Sequence, residues 1–323
     1  MKLKDYMKRQ LFILLTLLTL ISCSNNDGQQ PLRVGHISWP GYEALSLASA
    51  KDLYKNINVK IERPSNNAEI LLALEHDIID VAAVSLNEAV ELQSHLKGKI
   101  VIIAVLDVSH GGDVIIAQKG IKEVSGLKNM RLGMEPSSFG AYFVSRAIDL
   151  YPDLKLNQIK IIPLTIDQHY DQFIADKIDA VATYEPIKSK ILKHKGHVIF
   201  DSTRIPNEIF DVLITKTSFA EREENRLTEL LNGYFKAVTI IKSKSGNVLS
   251  SIAEKEGISI TDFKKSLSGI HIPDRAENIK LLTETNSSIQ VATDSMQVFL
   301  KNKNIIKQDA SVLPGITNRF LLK

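Results

Sequence analysis

The chain has 323 residues, 44% of them hydrophobic and 24% charged, an ordinary balance for a globular protein. Its formal net charge of +3 comes from the first 22 residues, which hold four bases and one acid, so the remainder is near neutral. It carries no basic stripe with interleaved aromatics, which excludes nucleic acid as a partner. One cysteine, Cys23, excludes an intramolecular disulfide, a multi-cysteine metal site and a cysteine nucleophile in the body of the chain.

Residues 1–10, MKLKDYMKRQ, are basic, and residues 11–21, LFILLTLLTLI, are uninterruptedly apolar. That order predicts a secretory signal over 1–22. The apolar run falls short of the roughly 20 residues a bilayer-spanning helix needs. Leu20-Ile21-Ser22-Cys23 follows, then the polar stretch SNNDGQQP. This junction resembles the bacterial lipobox. The resemblance implies acylation of Cys23, a tether over 23–31 and a place in the cell envelope, lipid-anchored outside the cytoplasmic membrane.

From residue 32 about 290 residues remain, more than one core normally holds, which predicts two lobes. Strands are expected at 32–36, 58–62, 80–84 and 100–106, alternating with helices at 42–53, 67–76 and 87–96. The runs VAAV, KIVIIAVL and VIIA are continuously apolar, as parallel strands buried on both faces would be. The chain then repeats itself. RVGHISWPGYEALSLASAKDL (33–53) aligns with RLGMEPSSFGAYFVSRAIDLY (131–151) at a shift of 98, and IDVAAVSLNEAVEL (79–92) with IDAVATYEPIKSKI (178–191) at 99. DVIIA (113–117) aligns with DVLIT (211–215), again at 98. Three matches in one order predict two related, doubly wound α/β lobes: lobe one over 32–112 and 216–323, lobe two over 113–215. Helices expected at 221–244, 248–257, 261–269 and 288–302 would pack on lobe one. The two DV segments form the crossovers of a hinge, with Asp113 and Asp211 bonded to nearby backbone.

Ligands of such sheets sit outside the carboxyl ends of the strands. Four loops qualify: ISWPGYE (37–43), SLNE (85–88), EPSSFG (135–140) and TYEP (183–186). They supply the candidate binding residues Trp39, Tyr42, Glu43, Ser85, Asn87, Ser137, Ser138, Gly140, Tyr184 and Glu185, joined by Asp107 beside a crossover. Structural roles compete at several of them: packing of the loop on its own lobe for Trp39 and Tyr42, N-capping for the serines and Asn87. Trp39 is the only tryptophan, and a cleft role predicts that Trp39→Ala weakens binding while stability barely changes. The HxxH of His194 and His197 has no completing acid pattern and reads as surface, so no metal is expected. HGGD (110–113) has no GxSxG beside it, and no GxxxxGK[ST] is present, so no catalytic residue is assigned.

Lobe order, paired crossovers and lipobox together resemble a solute-binding protein of a bacterial ABC importer. Within that group, WPGYEAL, SLNEA, EPSSFGAY, TYEP and IPNEIFDVL resemble the nitrate/sulfonate/taurine or thiamine-precursor branch (NMT1/THI5-like). The resemblance implies a two-lobe periplasmic-binding-protein fold of type II and capture of a small-molecule solute without cofactor or chemistry. It also implies delivery to permease and ATPase subunits by a monomer anchored to the membrane. Two alternatives stay open: an enzyme on the same fold, related to pyrimidine synthases or a secreted hydrolase, and a sensing module without a permease. Glu43, Asp107, Asp113, Glu135, Glu185 and Asp211 face only His36, His110 and Arg204 as opposing charges. That imbalance predicts a neutral, zwitterionic or cationic ligand over nitrate or a simple alkanesulfonate.

Overall fold

The computed structural model describes residues 30–96, 99–243, 246–309 and 313–322. The secretory signal and Cys23 lie outside the described residues. The first half of lobe one runs β1 (Leu32–Gly35), α1 (Glu43–Ala50), β2 (Val59–Glu62), α2 (Asn67–Glu75), β3 (Val81–Ser85), α3 (Leu86–Leu96) and β4 (Ile100–Ser109). Lobe two runs β5 (Val114–Ala117), β6 (Arg131–Met134), α4 (Ser138–Asp149), β7 (Lys160–Pro163), α5 (Ile166–Ile174), β8 (Ala180–Thr183), α6 (Ile187–His194) and β9 (His197–Asp201). The return is β10 (Phe210–Lys216), followed by α7 (Thr217–Arg222), α8 (Glu224–Lys242), α9 (Gly246–Lys255), α10 (Ile260–Leu267), β11 (Ile270–His271), α11 (Arg275–Thr283), α12 (Ser288–Asn302) and β12 (Gly315–Ile316).

The strands form two sheets, ordered β11-β4-β10-β3-β1-β2, with β12 on β4, and β7-β6-β8-β5-β9. Neither sheet is wholly parallel. β10 lies antiparallel between β3 and β4, and β5 lies antiparallel between β8 and β9. Each is the strand that arrives from the other lobe, and it therefore enters its sheet from the opposite end. VIIA is continuously apolar because both its faces are buried, whatever its direction. β10 belongs to the first sheet, so the chain returns to lobe one before Phe210, earlier than the expected boundary at 215.

The internal repeat has a physical counterpart. Arg33 in β1 donates its backbone N–H and its guanidinium to Asp80, at 2.8 and 2.6 Å. Arg131 in β6 does the same to Asp179, at 2.7 Å in both cases. Each arginine ties its strand, β1 or β6, to the turn before the parallel neighbour, β3 or β8, which holds that pair in register.

The late helices cover lobe one: α8 packs on α1, α12 on α3 and α11 on β4. In α8 the buried stripe Leu227, Leu230, Leu231, Tyr234, Val238 and Ile241 follows helical spacing. Each fully buried side chain of this size contributes about 1.5–3 kcal/mol. Helix α11 was absent from the sequence expectation, although Asp274 and Glu277 form a reciprocal capping box at its start and would have marked it. Among the described residues no helix is long and apolar enough to cross a membrane.

Candidate functional site

The loops at the carboxyl ends of the strands meet between the two sheets. They line an inner chamber, partly open, with about 310 Å³ of space outside the atoms including its open mouth. Ile37, Trp39, Tyr42, Asn67 and Ser85 wall it from lobe one, and Phe139 and Tyr184 from lobe two. Asp113, Ile209 and Asp211 close it from the crossovers. Ile37 and Tyr184 are shared with a wider outer pocket of about 1070 Å³ that also touches Arg63, Lys190 and Lys255.

The proline-glycine turn explains the position of the lone tryptophan. Trp39 is buried, its indole N–H donates to Asp107 Oδ2 at 2.9 Å, and its ring meets Tyr184 edge-on at 5.7 Å. A Cβ on Gly41 would stand 1.7 Å from Asp107 Oδ2, so only glycine lets the loop close over this carboxyl. The HGGD turn serves the same ring: a Cβ on Gly112 would meet the Trp39 ring at 2.8 Å.

Every wall donor of this kind ends on a buried acid. Tyr184 donates to Glu135 at 3.0 Å, Ser85 donates to Glu88 at 2.9 Å, and Tyr42 bonds Asp211. Asp107 and Asp211 are register partners on β4 and β10, so each lies in the field of the other's charge. Burial pushes Asp107 up to about 7, against the Trp39 bond that favours its charge. Burial first, then the charges of Asp107 and Asp113, lifts Asp211 well above the carboxylate range. Burial likewise raises Asp113 to about 6 and both Glu88 and Glu135 to about 7. His36 gives no opposing charge: burial drives it down to about 4, with Nδ1 donating to the Ile37 carbonyl at 2.7 Å.

Six expected residues thus line the chamber: Trp39, Tyr42, Ser85, Tyr184, Asp113 and Asp211, the last two as wall groups beyond the hinge role assigned to them. Asp107 stands behind Trp39. The others point elsewhere. Glu43 meets Arg63 at 3.0 Å and neighbours Glu256, because α1 turns this residue toward the outer pocket. Asn87 faces Met296 of α12, one position past the chamber side of α3. Glu185 accepts from the amide and hydroxyl of Ser189, both at 3.1 Å, one turn along its own helix. Ser137 caps α4 by accepting from the Gly140 amide at 3.1 Å, and Ser138 is buried with no partner for its hydroxyl. Ile37, Asn67, Phe139 and Ile209 were not expected. Phe139 directly follows the serine pair Ser137–Ser138 in the same EPSSFG stretch.

The lobes are drawn together. Besides Trp39 on Tyr184, Tyr142 of α4 meets Phe299 of α12 edge-on at 4.9 Å, and Lys193 of α6 pairs with Asp262 of α10. Ser202 joins the crossovers, bonding the Ser109 hydroxyl at 2.8 Å and the Gly111 amide at 2.6 Å. Among the described residues no group of three His, Cys, Asp or Glu is placed to hold a metal ion.

Residues 25–253 match the NMT1-like family. The chain belongs to the NMT1-like family. A relative carrying the name binding protein in Brucella abortus (strain 2308) is 28% identical over 193 residues, 58% of this chain and 59% of that one. Among solved structures, the periplasmic aliphatic sulphonate binding protein SsuA of Escherichia coli superposes with a TM-score of 0.71 at 18% identity, covering 87% of this chain and 95% of its own. The ligand-binding component of an ABC-type import system from Staphylococcus aureus gives 0.71 at 17%, over 88% and 97%. The desulfurization enzyme DszB shares the same architecture, with a TM-score of 0.64 at 11% identity over 91% and 98%. This NMT1-like chain therefore has the periplasmic-binding-protein fold, a scaffold on which binding proteins and an enzyme both occur.

Proposed function

We propose that this chain is an extracytoplasmic solute-binding lipoprotein that captures a small molecule between its lobes and delivers it to the permease of an ABC importer. The observation that carries the reading is the chamber, walled by both lobes and furnished with an aromatic from each, Trp39 and Tyr184. Such a site can form and release only if the lobes part, and two crossovers permit that. Family membership and the import-system name of the Staphylococcus aureus neighbour support the reading. The enzyme alternative has less behind it, since the chain's one cysteine is Cys23 and no nucleophile–base pair lines the chamber. The Escherichia coli neighbour is named for sulphonate binding; here the inner chamber has no Lys, Arg or His in its wall, while the outer pocket has Arg63, Lys190 and Lys255.

Native mass spectrometry of the exported form, with small-angle scattering before and after dialysis, tests the reading. A stoichiometric small molecule is expected, and its removal should raise the radius of gyration. Absence of any bound molecule, with no compaction on adding solutes, would remove it. The anchor has its own test. Cys23→Ala should leave the protein in the soluble fraction once the signal is cleaved, because stable anchoring takes more than one acyl chain, all attached at that residue. Continued recovery with membranes after signal removal would rule the anchor out.

A further inference from the structure

The hydrogen-bonding capacity left in the inner chamber is one-sided. Four wall donors are directed at acids: Trp39 at Asp107, Tyr42 at Asp211, Tyr184 at Glu135 and Ser85 at Glu88. On the wall the buried Oδ1 of Asn67 has no partner; behind Trp39 the Oδ1 of Asp107 has none, and the Ser138 hydroxyl beside Phe139 is likewise unpartnered. No lining residue is basic. Lys188, whose charge reaches Asp113, donates to the Gly111 carbonyl at 2.9 Å and stands 3.7 Å from Glu185. An incoming group therefore meets acceptors, carboxyls and ring faces.

We propose that the inner chamber seats an ammonium group, so that the captured solute is an organic cation. The proposal rests on the solute-binding reading and names its ligand class. Buried carboxyls with little counter-charge are costly, so the solute-free chamber favours their protonated forms. An ammonium group brings positive charge and N–H donors together. As it enters, the acids ionise, and the protons leave to solvent. Trp39, Tyr42, Phe139 and Tyr184 supply the aromatic surround in which cations are held by ring faces. An anion would find no basic side chain on the wall and would hold the acids in their protonated form.

The exchange makes binding pH-dependent. Asp113 before β5 and Asp211 on β10 line the seat, with Asp107 of β4 behind Trp39, Glu88 of α3 behind Ser85 and Glu135 after β6 behind Tyr184. The phenols Tyr42, Tyr184 and Tyr234 and the ammonium of Lys188 complete the set. A cation of fixed charge competes with protons there, so its affinity rises with pH.

The test uses the exported protein and its single tryptophan as reporter. Tetramethylammonium and methylammonium chloride are titrated against sodium methanesulfonate at equal ionic strength. At least one ammonium salt should change Trp39 fluorescence saturably while methanesulfonate does not. Tetramethylammonium, if it responds, should bind about tenfold tighter or more near pH 8 than near pH 5. Asp211→Asn should weaken ammonium binding about thirtyfold or more, with its fold checked by circular dichroism. Should that variant fail to fold, the pH profile of the natural chain decides. No response to either ammonium salt, or a saturable response to methanesulfonate, overturns the proposal. A neutral or anionic solute found in the cleft by mass spectrometry would overturn it too, while leaving the solute-binding reading intact.

Discussion

Trp39→Ala should lower the stability of this protein by about 3–5 kcal/mol, the range for deleting a buried aromatic. The residue is 4% exposed and sits in the main core cluster of lobe one. Its removal opens a cavity, ends the edge contact with Tyr184 at 5.7 Å and strips Asp107 of the donor at 2.9 Å. The sequence expectation of nearly unchanged stability is therefore revised: Trp39 lines the chamber and also holds the loop to the strand behind it. Trp39→Phe separates the two contributions. It keeps most of the packing and leaves the buried Asp107 without its N–H partner, a loss of about 1–3 kcal/mol. Urea denaturation followed by circular dichroism measures both variants, since neither retains tryptophan fluorescence. An unchanged midpoint for Trp39→Ala would show that the ring is not packed in solution as it is here.

The second large effect is an inverted pH profile. Most proteins lose stability toward acid because paired carboxylates must be protonated. Here the solute-free form should instead lose stability as pH rises from about 5 to about 8. Burial raises Asp107, Glu88 and Glu135 to about 7, and Glu43 to about 8 with the help of the Glu256 charge. A carboxyl whose folded value lies above its unfolded one keeps a proton that the unfolded chain releases. Its contribution is complete below the ordinary carboxylate value and is lost as pH climbs through the raised one. His36 and His169, driven down to about 4 by burial, act in the opposite sense below their ordinary range. The raised carboxyls outnumber them, and each proton difference is worth about 1.4 kcal/mol per pH unit. The melting temperature should therefore fall by roughly 5 °C or more across that interval. Asp211→Asn should flatten the fall by removing the acid opposed to Asp107. A flat profile in the unmodified protein would mean that water reaches these acids, as it would if the solute-free lobes stand open.

Much of this arrangement is legible in the residues themselves. A repeat of 98 to 99 positions reveals two lobes, because each copy must rebuild the same strand, turn and half-exposed arginine–aspartate pair. Continuous apolar runs mark strands buried on both faces, and Trp-Pro-Gly or Thr-Tyr-Glu-Pro after such a run marks a loop at a strand's carboxyl end. Those local signals alone bring Trp39, Tyr42, Ser85 and Tyr184 to the loops that line the inner chamber. Folding in three dimensions decides the rest. Whether Glu43 or Asn87 faces the chamber depends on the rotation of its helix against a partner distant in sequence, α8 for one and α12 for the other. The direction of β5 and β10 follows from the lobe each leaves, which apolar composition does not encode. Above all, Asp107 and Asp211 are ordinary acids in the sequence. They become a mutually opposed buried pair because an antiparallel register sets them opposite each other beside Trp39, where burial disfavours charge on both.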